Sequence, residues 1–202
     1  MTDLVVLTAD KPMESTVDAL LERTSSMGLR SVRRKFIRHH ERDSGVRTNG
    51  HELLRRVAGQ YEHALMLCDL EGSGSSAGSA VELERELDAQ LSTSWKDRAK
   101  SIVIEPELDV WMWGSDARLV QTLKWPYTES PRRWLVAQGF SLDEEGKPIP
   151  PKDAMKAVLD RLRLPMSAAV YGRIASEIGL ARCTDAAFIR LRDVLRSWFP
   201  AQ

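Results

Sequence analysis

The amino-terminal half of the chain alternates short apolar runs of strand length with segments of helical periodicity, and this alternation restricts the fold more than any other feature. Strands are predicted at LVVLTA (4–9), in the extended segment SVRRKFIR (31–38), at HALMLCD (63–69) and at SIVIE (101–105). Helices are predicted between them at about 13–27, 51–60 and 80–91, with a loop at 39–50. Strands that alternate with helices form parallel sheets covered by helices. We therefore expect an α/β fold with a small parallel sheet and flanking helices.

The pattern changes after Pro106, because every later periodic segment has the spacing of a helix. Helices are predicted within 107–113 and at 131–138, 152–162, 167–178 and 185–198. The segment 141–151 is rich in Pro, Gly and acids, which favour a linker. We expect an α/β domain at 1–115 and an all-helical region at 116–202 packed on it. Trp111, Trp113, Trp125 and Trp134 are expected to pack in the interior rather than to stack on bases.

Composition excludes several classes of protein. Of the 202 residues, 29% are charged, and no apolar run approaches the roughly 18 residues that a membrane span requires. The first residues lack the cationic segment and long apolar segment of a secretory signal, so a cytoplasmic location is expected. Cys68 and Cys183 are expected to be reduced thiols, since two distant cysteines do not make a disulfide framework.

The zero net charge conceals two blocks of opposite sign. Nine bases and three acids lie between Arg30 and Arg56, whereas seven acids and one base lie between Glu62 and Leu91. The basic block is suited to a phosphate backbone and the acidic block to a cation. Two solvated faces that neutralise each other explain the same composition.

Acids follow three of the four predicted strands. They are Asp10 after the first strand, with Glu14 one helical turn later, Asp69 and Glu71 after the third, and Glu105 and Glu107 after the fourth. Ligands of open parallel sheets gather at the carboxyl ends of the strands. Carboxylates that converge there repel one another unless a cation neutralises them, and hard oxygen ligands select Mg or Mn. The alternative is structural, since acids also cap helices and favour their first turns.

These motifs resemble those of Toprim-type domains. The pattern begins with a strand and D-x-x-x-E (Asp10 to Glu14), followed by a second strand and a helix. A third strand with D-x-E (Asp69 and Glu71), a helix and a fourth strand come next, and then EPELDVW at 105–111. In that family, an acid after the first strand and a D-x-D after the third organise Mg for phosphoryl transfer. Toprim domains usually carry Glu-Gly after the first strand, whereas this chain has Asp10-Lys11. The resemblance therefore implies metal binding more directly than catalysis.

Over nearly its whole length the chain is similar to the small fourth component of a methylation-associated anti-phage defence system. Segments that carry this resemblance include ADKPME, HHERDSGV, IEPELDVWMW, WLVAQGF and RCTDAAFIRLRDVLRSWFP. The resemblance implies that the other subunits of such a system are partners.

Two functional hypotheses follow. In the first, the protein is a Mg- or Mn-dependent, nuclease-like enzyme in which Asp69 and Glu71 hold the cation, Glu105 or Glu107 completes its shell, and Asp10 or Glu14 orients water. Its substrate is DNA or RNA, and a set of basic residues grips the backbone. That set is Arg33, Arg34, Lys35, Arg38, His40 and Arg42. In the second hypothesis, the protein is a non-catalytic subunit that keeps a degenerate Toprim fold and works by binding another subunit.

Overall fold

A parallel four-stranded sheet forms the centre of the computed structural model, which describes residues 1–179 and 183–201. The strands are β1 (Thr2–Thr8), β2 (Arg34–Arg38), β3 (Tyr61–Asp69) and β4 (Ala99–Ile104), in the order β2-β1-β3-β4. The intervening helices are α1 (Lys11–Glu22), α2 (Thr24–Met27), α3 (Arg42–Arg55) and α4 (Ala80–Trp95). The predicted α/β architecture is thereby confirmed.

The rest of the described chain is mostly helical, as predicted. Its helices are α5 (Asp109–Met112), α6 (Asp116–Leu123), α7 (Pro131–Ala137), α8 (Pro151–Arg161), α9 (Ala168–Glu177) and α10 (Ala186–Trp198). The segment predicted as a linker contains an antiparallel hairpin of β5 (Ser141–Leu142) and β6 (Pro148–Ile149). Asp143 closes this hairpin, because its Oδ1 accepts from the backbone N–H groups of Glu145 and Lys147.

Helices cover both faces of the sheet. Leu4 and Arg34 are register partners on β1 and β2, and the Arg34 side chain pairs with Asp18 of α1. Leu7 points to the opposite face, because side chains alternate along a strand, and there it lies beside Gly50 of α3. The central strands are therefore buried on both faces, which explains why their sequences are continuous apolar runs.

The structure differs from the sequence prediction at 39–50. Helix α3 begins at Arg42, within the predicted loop, and ends at Arg55, before the end of the predicted helix. Val46 and Leu54 are fully buried on its inner side. The helix also places Asp43 in its first turn, after the short segment that follows β2.

The carboxy-terminal helices share the core of the sheet. Phe188 and Leu195 of α10 are buried, as is Phe199 just beyond it. Arg190 of α10 pairs with Glu84 of α4, whose Oε1 accepts from the backbone N–H of Val103 at the free edge of β4.

Trp111, Trp113, Trp125 and Trp134 are all buried, as predicted. Cys68 and Cys183 are free thiols. Within the part of the chain that the structure describes, no helix has the length and apolar character to cross a bilayer.

Candidate functional site

A cleft runs along the carboxyl edge of the sheet and has two lobes. Asp10, Asp69, Arg42 and Lys152 line both lobes and form the centre of the cleft. The wide lobe has a volume of about 860 Å³, and the residues that line it alone include Lys11, Phe36, Arg38, His40 and Met166. The acidic lobe has a volume of about 480 Å³, and the residues that line it alone include Glu41, Asp43, Glu71, Glu107 and Asp153.

Asp69, the last residue of β3, lies at the centre of a group of carboxylates. Its Oδ1 accepts from the backbone N–H of Leu108 at 3.0 Å, and its own N–H donates to Oδ1 of Asp43 at 2.8 Å. Burial raises the pKa of Asp69 well above its usual range, and the charges of Asp43, Asp10, Asp109 and Glu107 raise it further. Acids that follow the other three strands therefore act on this one carboxylate.

Asp43 is the acid that β2 contributes to this group. Burial raises its pKa, and the charge of Asp10 adds to the increase, although the N–H of Asp69 opposes it. Asp43 was not among the predicted metal ligands, because the segment around it was predicted to be a loop. Its position in the first turn of a helix that follows a strand is shared by Glu14, in the first turn of α1.

Two buried acids after β4 are held by side chains of the carboxy-terminal helices. Glu107 accepts from Nζ of Lys152 at 2.9 Å, and Asp109 accepts from the hydroxyl of Tyr171. Burial raises the pKa of Asp109 to about 6, and the charge of Glu107 contributes. Burial alone would lower the pKa of Lys152, but its hydrogen bond with Glu107 and the nearby acids raise it. The sequence pattern did not indicate Lys152 or Tyr171 as site residues, because both lie on helices that are distant in sequence from the acids.

Asp10 and Glu14 lie at the cleft with their side chains already engaged. Oδ1 of Asp10 accepts from the backbone N–H of Met13 at 2.9 Å and caps α1. Glu14 pairs with Lys11 at 2.6 Å through Oε1 and with Nε of Arg38 at 3.0 Å through Oε2. Lys11 is therefore directed to Glu14, and Glu14 orients Arg38.

The side chains of the remaining predicted ligands, Glu71 and Glu105, have different surroundings, although the backbone N–H of Glu71 donates to the carbonyl oxygen of Pro106, the residue after Glu105. Glu71 is exposed in the turn after β3 and lines the acidic lobe. Glu105 is directed to helix α4, where its Oε2 accepts from the backbone N–H of Ala80 at 2.9 Å, and it lines neither lobe. Of the pair Glu105 and Glu107, only Glu107 reaches the cleft.

The structure divides the predicted nucleic-acid-binding residues into two groups. Arg38, His40 and Arg42 line the cleft. Three residues lie elsewhere: Arg33 pairs with the buried Asp3, Arg34 pairs with Asp18 and Glu22 of α1, and Lys35 is exposed in the middle of edge strand β2.

His39 differs from its neighbour His40 because it is buried. One ring nitrogen of His39 is bonded to the side-chain oxygen of Asn49, and the other accepts from the backbone N–H of Glu41 at 3.1 Å. His40 stacks on it with a ring separation of 4.9 Å and is largely exposed. His39 therefore fixes the start of α3. Both imidazoles line the wide lobe, and His40 is the exposed one.

The carboxylates at the centre of the cleft do not form a complete protein cage for a metal. Among residues 1–179 and 183–201, no three or more His, Cys, Asp and Glu side chains are grouped closely enough to hold an ion. Mg is commonly bound by one or two carboxylates together with waters and substrate phosphates. Asp69, Asp43 and Glu107 line the acidic lobe together, so they are the carboxylates that could take part in that mode of binding.

No protein-family model matches the sequence, and no curated protein or solved structure is significantly similar to the chain.

Proposed function

We propose that the protein carries out divalent-cation-dependent phosphoryl transfer on nucleic acid, as a nuclease-like enzyme with its site in the cleft. The observation that carries this proposal is the convergence of acids on Asp69, whose N–H donates to Asp43 and which lines the acidic lobe with Asp10 and Glu107. Burial and the charges of four neighbouring acids raise the pKa of Asp69. Such an arrangement opposes folding unless a cation neutralises it. The carboxyl ends of parallel strands are also where such folds bind their ligands.

Each group has a specific role in this proposal. Asp69 holds Mg or Mn together with Asp43 or Glu107, and Glu71 reaches the ion through water or on substrate binding. The bound ion would supply charge stabilisation to the phosphoryl group. Asp10 orients the attacking water through the oxygen that does not cap α1. Arg38, His40 and Arg42 bind phosphate oxygens, as charge-assisted donors do.

The resemblance of the sequence to Toprim-type domains supports this chemistry. The more extensive resemblance supports a narrower proposal, in which the protein acts in the cytoplasm with other subunits of an anti-phage defence system. The acid after the third strand in the family pattern corresponds to Asp69, whose pKa is raised by burial and by the neighbouring acids.

A second candidate function is that of a non-catalytic interaction subunit with a degenerate site. It is favoured by Glu14, because both of its oxygens are paired with basic side chains. It is also favoured by Lys152, whose ammonium group lies 2.9 Å from Glu107 and partly neutralises the acids. In this alternative, the charged cleft binds a partner subunit.

Calorimetric titration with Mg and Mn tests the proposal. We expect the wild-type protein to bind one Mn, and we expect the double variant Asp69→Asn, Glu71→Gln to lose that binding by at least tenfold. The amide oxygen introduced by Asp69→Asn can still accept from the backbone N–H of Leu108, so the variant should remain folded. Asp193→Asn is the matched control, because Asp193 is exposed on α10 and far from the cleft in the fold.

The same proteins are then assayed for metal-dependent hydrolysis of DNA and RNA oligonucleotides. We expect the wild-type protein and the Asp193→Asn control to hydrolyse either the DNA or the RNA oligonucleotide, and we expect the double variant to be inactive. A wild-type protein that binds no Mn, alone or with an oligonucleotide, would favour the interaction subunit instead.

A further inference from the structure

The two lobes of the cleft differ in charge, and from this difference we propose that the enzyme removes nucleotides from hydroxyl-terminated chain ends. The retained chain lies in the wide lobe, and the acidic lobe accepts one terminal nucleoside that carries no further phosphate. This inference rests on the proposed function, because it assigns the substrate class of the same site.

The acidic lobe is unsuited to a continuous phosphate backbone. Every charged residue that lines this lobe alone is an acid, and among the lining residues that the structure describes its only basic groups are those at the centre of the cleft, Arg42 and Lys152. Glu41 and Asp153 are exposed at its outer side. A second phosphate in this lobe would meet carboxylates at short range, where like charges repel.

A nucleoside without a further phosphate is suited to the same lobe. The volume of about 480 Å³ lies within the range of roughly 300–1,000 Å³ typical of small-molecule sites. Sugar hydroxyls are donors, and ionised carboxylates are acceptors only. Glu41 and Asp153, which the proposed function does not assign to the cation, can therefore bind the sugar directly. The acidic lobe therefore distinguishes a chain end from the interior of a chain.

The wide lobe is suited to the retained chain. Two acids line this lobe alone, but Glu14 is paired with Lys11 and Arg38, and Asp109 accepts from Tyr171. Arg38 and His40 present exposed donors for phosphates, and Phe36 and Met166 provide an apolar surface for a base. Stacking on an aromatic side chain accepts every base, whereas the charged groups follow the backbone. The volume of about 860 Å³ leaves room for more than one nucleotide.

The scissile phosphate lies between the lobes, beside Asp69, Asp10, Arg42 and Lys152, which line both. Water attacks the phosphorus atom, and the bond from phosphorus to the sugar oxygen of the retained chain breaks. That oxygen takes the proton released by the water. The terminal nucleotide leaves with the phosphate, and the retained chain ends in a new hydroxyl group that can enter the next cycle.

The test compares three forms of one oligonucleotide, each made as DNA and as RNA, with Mg or Mn present. They are a linear strand with hydroxyl groups at both ends, the same strand with phosphates at both ends, and a closed circle. We expect the hydroxyl-ended strand to be shortened one nucleotide at a time. The phosphate-ended strand should react at least tenfold more slowly, and the circle should stay intact.

A second variant tests the origin of the end preference. Glu41→Gln with Asp153→Asn removes two charges from the acidic lobe and leaves Asp69 and its neighbours in place. We expect the ratio of rates between hydroxyl-ended and phosphate-ended strands to fall severalfold in this variant. Lys156→Gln is the control, because Lys156 is exposed on α8 and lines neither lobe.

The outcomes separate the two proposals. If the circle is cut, or if phosphate-ended and hydroxyl-ended strands react equally, the end-directed inference is wrong and metal-dependent hydrolysis stands. If no form is hydrolysed, the proposed function is wrong and the inference fails with it.

Discussion

Asp3 shows how one buried carboxylate stabilises the start of β1. Its oxygens accept from Nη1 of Arg30 at 2.9 Å, from the backbone N–H of Arg33 at 3.0 Å and from Nη2 of Arg33 at 2.9 Å. Burial alone would raise the pKa of Asp3, but these bonds and the positive charges lower it from 3.8 to about 2. Arg33 therefore has a structural role at the edge of the sheet opposite the cleft.

The lowered pKa of Asp3 predicts a pH-dependent contribution to stability. The contribution is fully present above about pH 4, where the unfolded carboxyl is ionised, and it is lost as the pH falls through about 2. We expect Asp3→Asn to lower the free energy of unfolding at pH 7 by about 2 kcal/mol, and by much less at pH 2.5. Urea titrations at the two pH values measure this difference.

Asp193→Asn serves as the control, since Asp193 is largely exposed. Removing its charge should change the free energy of unfolding little at either pH. An equal loss of stability for Asp3→Asn at pH 7 and pH 2.5 would contradict the electrostatic explanation. It would instead indicate that the packing of Asp3 is what matters.

At the scale of elements, helix α3 depends on a glycine for its position on the sheet. A Cβ atom at Gly50 would lie 2.8 Å from Sδ of Met66 and 2.9 Å from Cδ2 of Leu7. Alanine favours a helix over glycine by about 1 kcal/mol, whereas overpacking a core costs about 1–3 kcal/mol. We expect the steric effect to prevail, so that Gly50→Ala lowers the free energy of unfolding by about 1 kcal/mol.

Gly59→Ala provides the comparison for Gly50→Ala in a denaturant titration. No atom lies within 4 Å of a Cβ atom built at Gly59, so this substitution should leave stability unchanged or raise it slightly. If both variants were equally stable, α3 would not be in close contact with the sheet at Gly50.

The same helix shows why part of the fold was not predictable from the sequence. Strands β1, β3 and β4 and helix α4 carry their signals in local apolar patterns, and each was predicted near its observed position. Helix α3 contains Gly45, Asn49 and Gly50, which are poor helix formers, and its position is set by contacts with strands that are distant in sequence.

The residues of the candidate site also differ in whether the sequence could predict them. Asp10, Asp69 and Glu107 follow from the rule that ligands gather at strand ends, and all three lie at the cleft. Lys152 and Tyr171 belong to helices α8 and α9, and only the packing of those helices brings them to the acids. A local pattern could not identify them, because their role depends on tertiary contacts.

At the scale of the whole molecule, the sheet and the carboxy-terminal helices are joined by buried contacts. Helix α9 packs on α1, and the guanidinium of Arg23 donates to the carbonyl oxygens of Ala175 and Ile178 at 2.9 and 2.7 Å. Phe188 of α10 is almost fully buried and lies edge-on to Trp111. These contacts connect both predicted regions through one hydrophobic core.

This shared core predicts that the chain unfolds as one cooperative unit. Removing a buried phenylalanine costs about 3–5 kcal/mol, so Phe188→Ala should lower the stability of β3 as much as that of α10. Native-state amide exchange measures this directly: the slowest amides of β3, at Leu65 and Leu67, should lose the same protection free energy as those of α10.

The control Val136→Ala, at a side chain that is about half exposed, should leave the protection of both elements unchanged. Protection lost in α10 alone would mean that the carboxy-terminal helices unfold separately from the sheet, and the sheet would then keep its candidate cation site without Lys152 and Tyr171.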